Sequence, residues 1–111
     1  MSHYANYLKE RQGKEYVEDK YGFYVYYFHE DFLFIEDLYV APEHRHKGVA
    51  QRYSKELARI TLESGRYKMV CNIIPSTNGA SYMAGNLIEN GFKLNSSGDD
   101  IIYFIKEIEH G

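Results

Sequence analysis

Three basic side chains crowd one glycine in the stretch PEHRHKGVAQR (residues 42–52), where Arg45, His46 and Lys47 stand directly before Gly48. The stretch follows an apolar run and opens a segment of helical periodicity, so it spans a strand-to-helix turn. A helix N-terminus presents unpaired N–H groups and the positive end of the helix dipole. Together these attract anions. Glycine there removes the side chain that would keep a phosphate away. Arg45, Gly48 and Ala50, read as R-x-x-G-x-A, therefore point to a pyrophosphate cradle. The commoner phosphate loops, G-x-x-x-x-G-K-[ST] and G-x-G-x-x-G, are both missing from the chain. The competing reading is a solvated basic turn whose glycine serves only the bend.

A second candidate lies just upstream. FLFIEDLYV (residues 32–40) is nearly continuous in apolar character apart from Glu36 and Asp37. A buried carboxylate without a partner is costly, so the pair needs a reason. Lysine or arginine from neighbouring elements would satisfy it structurally, and a bulge could expose it. Successive strand residues face opposite sides, so in a regular strand at most one of the two enters a given cleft. Other candidates carry less. His44 and His46 form an H-x-H with no carboxylate or cysteine at metal spacing, so no metal is expected. Cys71 sits in an apolar run and reads as packing.

The elements that must position these residues are legible from periodicity. Ser2 to Gln12 reads as a helix capped by Ser2 and ended by Gly13. Residues 15–18 suit a short strand. Gly22–Phe28 and Phe32–Val40 form a hairpin around His29–Asp31. Gly48–Ser64 is a helix with Val49, Tyr53, Leu57, Ile60 and Thr61 at helical spacing, and Gly65 ends it. Tyr67–Ile74 is a buried strand closed by Pro75. A helix spans Ala80–Asn90 with Gly91 as its stop. Phe92–Leu94 and Ile101–Ile108 are final strands around the turn NSSGDD, and KEIEHG reads as a frayed end. The order predicts a single α+β or mixed α/β domain over residues 1–111.

Composition narrows the function. A net charge of -3 argues against a general nucleic-acid binder and suits a cationic substrate. The single cysteine, Cys71, precludes an internal disulfide and fits a reducing cytoplasm. The N-terminal stretch has no apolar core like that of a signal peptide, and no run reaches membrane-spanning length. Twelve tyrosines and six phenylalanines, concentrated in the first hairpin, make exposed aromatic surface and hence a homodimer an expectation.

Three pieces in order, LYVAPEHRHKGVAQRYSKEL, KMVCNIIP and NLIENGFKL, resemble the GNAT superfamily of acyl-CoA-dependent N-acyltransferases. The resemblance covers residues 22–108, with an N-terminal part shorter than the family usual. It implies a mixed central sheet with helices on both faces and acetyl-CoA as cosubstrate. It places the coenzyme A pyrophosphate on the backbone of Arg45, His46, Lys47, Gly48, Val49, Ala50 and Gln51. The edge of Leu38, Tyr39 and Val40 would pair with the pantetheine arm, and the Val40 amide would face the thioester oxygen. FIEDLYV also resembles the carboxylate pair on this strand in spermidine/spermine acetyltransferases. On that basis Glu36, which shares a face with Leu38 and Val40 if no bulge intervenes, is the expected base and Asp37 the substrate anchor. The position of the family's tyrosine acid is Leu87 here, leaving Tyr82 or Tyr103 to protonate the thiolate. Asn78 aligns with the asparagine that opens the last helix only if extra residues are allowed. The function implied is acetyl transfer to a primary amine, on a small molecule or a lysine, by direct attack in a ternary complex. The alternative is a degenerate member that binds acyl-CoA or a protein partner without catalysis.

Overall fold

The computed structural model describes residues 2–108. Within them the elements run α1 (His3–Gln12), β1 (Glu15–Asp19), β2 (Gly22–Phe28), β3 (Leu33–Val40), a 3-10 turn (Pro42–His44), α2 (Val49–Glu63), β4 (Lys68–Ile73), α3 (Ala80–Glu89), β5 (Lys93–Gly98) and β6 (Ile101–Glu107). The last three residues of the expected frayed end lie outside the described residues, whereas Lys106 and Glu107 belong to β6.

The strands form one mixed sheet in the order β1-β2-β3-β4-β6-β5. Only β3 and β4 run parallel, with α2 as the crossover between them. Val49, Tyr53, Leu57 and Thr61 recur every four residues and make one buried stripe along α2. That stripe packs with Ile35, Met69, Cys71 and Phe104 of the sheet and with Leu87 of α3 in one core. The opposite face is covered at the β1 edge by α1. There Tyr4 meets Tyr16 edge-on, Tyr16 stacks on Phe23, and Phe23 stacks on Tyr39. Helices therefore flank both faces of a mixed α/β sheet, as the sequence predicts.

One element departs from the expectation. NSSG is not part of a turn: β5 extends from Lys93 to Gly98 and pairs with β6, with a register shift between Leu94 and Ser96. All six residues of β5 are exposed, so no buried apolar face marks it as a strand.

Two local features fix β3 against its neighbours. Gly22 lies opposite Val40, and a Cβ there would overlap the Tyr39 carbonyl oxygen. Glycine is required by this close approach. At the β1–β2 turn, Asp19 accepts hydrogen bonds from the Tyr53 hydroxyl (2.6 Å), the Tyr21 amide (2.9 Å) and the Arg52 guanidinium (2.9 Å). Burial works to raise the Asp19 pKa, but these donors outweigh it and hold the carboxyl at about 2. A depressed carboxyl pKa stabilises the fold above the ordinary aspartate value of 3.8, and that contribution is lost as pH falls through about 2. Denaturant midpoints measured above and below this window should therefore drop on acidification. Asp19→Asn should lower the upper value and flatten the drop.

Candidate active site

A bulge in β3 builds the site. Val25 of β2 lies opposite Asp37, but Tyr26 lies opposite Ile35, so Glu36 is the extra residue. The parallel ladder to β4 stops at the same point. Its pairs are Leu33 with Met69, Phe34 with Val70 and Ile35 with Cys71, and none follows. β3 stays with β2 as far as Val40 and parts from β4 beyond Ile35. The Ala41 amide donates to the Tyr21 carbonyl, which marks these two as a hydrogen-bonded pair. Alternation then turns the N–H and C=O groups of Leu38 and Val40 away from β2, onto the edge that β4 has left. The expected edge of Leu38 to Val40 is thus open apart from the Val40 carbonyl, which accepts from Arg45 Nε.

The bulge overturns one premise of the sequence reading. Leu38 and Val40 face the core, whereas Glu36 reaches the other face and binds Lys14, with Nζ 2.5 Å from Oε1. Asp37 is exposed, and its carboxyl accepts no hydrogen bond from another described residue. On its wedge side that carboxyl is nonetheless partly desolvated, which raises its pKa; the neighbouring Glu36 raises it further, and Lys14 opposes both. Both carboxylates line a cavity of about 260 Å³ in the wedge between β3 and β4, together with Leu38, Asn72, Asn78 and Met83. Cys71 also lines it. Burial, and secondly Asp37, push its thiol up to about 12, so it stays protonated and inert.

The basic turn lies farther along the same strand. His46 and Gly48 both adopt left-handed backbone, with φ of 64° and 82°. This double reversal brings the chain into α2 with no side-chain cap. The amides of residues 46–51 donate no hydrogen bond to another described residue; the first amide bound within the helix is that of Arg52, to Gly48. Arg45 is fixed by its Nε bond to the Val40 carbonyl (2.9 Å) and lies over the rings of Tyr82 and Tyr39. A cavity of about 390 Å³ opens here, lined by Val40, Arg45, His46, Gly48, Val49, Ala50 and Gln51 on one side and Tyr82 and Asn86 on the other. Lys47 is exposed beside it. A row of amides unpaired among the described residues, a helix N-terminus and a held guanidinium are chemically suited to an anion.

The model of the Acetyltransferase (GNAT) family matches residues 4–83. The chain belongs to the GNAT acetyltransferase family. Solved structures agree on the fold. The PaiA N-acetyltransferase from Thermoplasma acidophilum, solved in complex with coenzyme A, superposes with a TM-score of 0.71 at 20% identity, over 78% of this chain and 53% of that one. A GNAT family acetyltransferase from Elizabethkingia anophelis with acetyl-CoA bound gives 0.64 at 15% identity, over 86% of this chain and 75% of that one. Nourseothricin acetyltransferase gives 0.65 at 22% identity, over 79% and 58%. This GNAT chain thus spans about half the length of the Thermoplasma protein. No curated protein sequence matches it.

Several expected residues of this GNAT chain change place. Tyr82 lines the cavity at the basic turn, edge-on to His46, and does not line the wedge that holds Glu36 and Asp37. The wedge has no tyrosine in its lining, and Tyr103 opens on the opposite face of the sheet. Leu87 packs in the core and lines neither cavity, so a tyrosine there would have to fit a filled interior. Asn78 lines the wedge. Val40 lines the turn cavity while Leu38 lines the wedge, so the amide beside the carboxylates is that of Leu38. His44 and His46 rest on different rings, Tyr21 and Tyr82. Asn72, Lys14 and Asn86 carry no signal in the sequence that marks them as site residues. The side-chain nitrogen of Asn86 is buried at the edge of the turn cavity without a hydrogen-bond partner among the described residues. No helix among the described residues is long and apolar enough to cross a membrane.

Proposed function

We propose that this chain is an acetyl-CoA-dependent N-acyltransferase acting on a primary amine in a ternary complex. The observation that carries the reading is the free edge of β3, which runs from the two carboxylates to the uncapped turn of α2. The amides of residues 46–51, with Arg45, would hold the pyrophosphate. Val40 and Leu38 would pair with the pantetheine arm as an added strand does. The thioester then lies in the wedge, with the Leu38 amide as oxyanion donor.

The carboxylate roles reverse those expected from the sequence. Glu36 already binds an ammonium group, that of Lys14, and is the better cation anchor. Asp37 accepts no hydrogen bond from the described residues and has a raised pKa, which suits a proton acceptor. The amine nitrogen attacks the thioester carbonyl and its proton passes to Asp37, directly or through water. The new C–N bond forms as the C–S bond breaks, and the thiolate takes a proton from solvent.

The absence of a tyrosine from the wedge favours a second reading, a GNAT domain that binds acyl-CoA or a protein partner without transfer. Calorimetry with acetyl-CoA and thiol release over an amine panel separate the two. Binding with acceptor-dependent release supports transfer, and binding with no release supports the second reading. A result of neither binding nor release removes every acyl-CoA reading and leaves only the protein partner.

A further inference from the structure

The face of the sheet opposite α2 and α3 carries a groove of about 610 Å³. Its walls include Tyr27, Phe32, Phe34 and Tyr103, and Glu36 supplies the one carboxylate in its lining. Glu36 and Asn72 line this groove and the wedge alike, so the groove opens toward the carboxylates. The occupant's chemistry is already visible. The Lys14 ammonium sits on Glu36 and 5.8 Å from the centre of the Tyr27 ring, within the range of cation–π attraction. Lys14 brings an apolar stem and a terminal primary ammonium.

From this we infer that the acceptor is a primary monoamine with an aromatic or extended apolar body. Its ammonium replaces that of Lys14 on Glu36, and its body lies along Tyr27, Phe34 and Tyr103. A polyamine's further ammonium groups would find no second carboxylate in the lining and would lose hydration along Phe32 and Phe34, where an apolar body gains by burial. Displacing Lys14 exchanges one ammonium on Glu36 for another, so the carboxylate keeps a partner throughout. The inference rests on the acyltransferase reading, which places the thioester in the adjoining wedge.

Phenethylamine, butylamine, spermidine and a lysine peptide serve as probes. Thiol release should favour phenethylamine over spermidine by roughly tenfold or more in kcat/KM. Phe34→Ala should erase that preference while the affinity for acetyl-CoA holds. Lys14→Ala should lower the KM for phenethylamine by vacating Glu36. Titrating phenethylamine into the free protein, followed by aromatic NMR signals, tests the groove apart from catalysis. Binding that Phe34→Ala abolishes, without any thiol release, upholds the groove and rejects the acyltransferase reading. Several results would overturn the proposal: spermidine as the best acceptor, equal effects of Phe34→Ala on every amine, or no binding of phenethylamine. A dimer that Phe34→Ala splits into monomers would assign the face to a second copy and overturn it as well.

Discussion

Asp37→Asn should lower the acetyl-transfer rate at neutral pH by roughly 10²-fold or more, with little change in acetyl-CoA affinity. The amine acceptor is mostly protonated there and must lose a proton before it attacks. Asp37 stands in the wedge with a carboxyl raised by partial burial and by Glu36. The acidic limb of the pH–rate profile should accordingly fall above the ordinary aspartate value of 3.8. The deficit of the variant should shrink as pH rises and the amine deprotonates itself. Stability gives an independent readout. A carboxyl with a raised folded pKa contributes stability that is complete below 3.8 and lost as pH rises through the folded value. Asp37→Asn should therefore leave stability at neutral pH unchanged or improved, which separates a proton acceptor from a structural partner. Glu36→Gln should instead raise the acceptor KM more than it lowers kcat. If Glu36→Gln shows the pH-dependent kcat loss and Asp37→Asn does not, the roles revert to those expected from the sequence alone.

What the sequence disclosed follows from how local each signal was. Helix ends were legible because glycine marks them one residue at a time, as Gly13 does in left-handed backbone after α1. The stripe of α2 was legible because its buried residues repeat within one element. The bulge at Glu36 was not. Two consecutive acids show that something interrupts an apolar strand, but which residue is extra depends on the register against β2, set by contacts with distant residues. The same holds for Lys14, which meets Glu36 across 22 residues of sequence. Leu87 illustrates a further limit. Its spacing from Gly91 matches the family's tyrosine, yet only packing shows that the side chain points into the core. The second half of β5 is not legible because small polar residues in an exposed strand have no buried face to alternate with the solvent.

Gly48→Glu should weaken acetyl-CoA binding at least tenfold, or about 1.4 kcal/mol, and leave the fold in place. Gly48 lies at the head of α2, where six consecutive amides face no acceptor among the described residues. An added Cβ meets nothing within 4 Å, so the side chain has room. The φ of 82° adds strain for any non-glycine residue, on the order of 1–2 kcal/mol. That strain falls on the free and bound protein alike and lowers stability more than affinity. The glutamate carboxylate acts on affinity, because it can satisfy the helix N-terminus itself and repels the pyrophosphate. Gly48→Asn is the control. Asparagine tolerates left-handed backbone and carries no charge, so it should lose less affinity than the glutamate variant. The difference should shrink at high salt, since exposed charges are screened. Calorimetry on both variants, with unfolding curves alongside, reads all three effects. Equal acetyl-CoA affinity in the wild type and the folded Gly48→Glu protein would return the turn from Arg45 to Gly48 to a solvated basic bend.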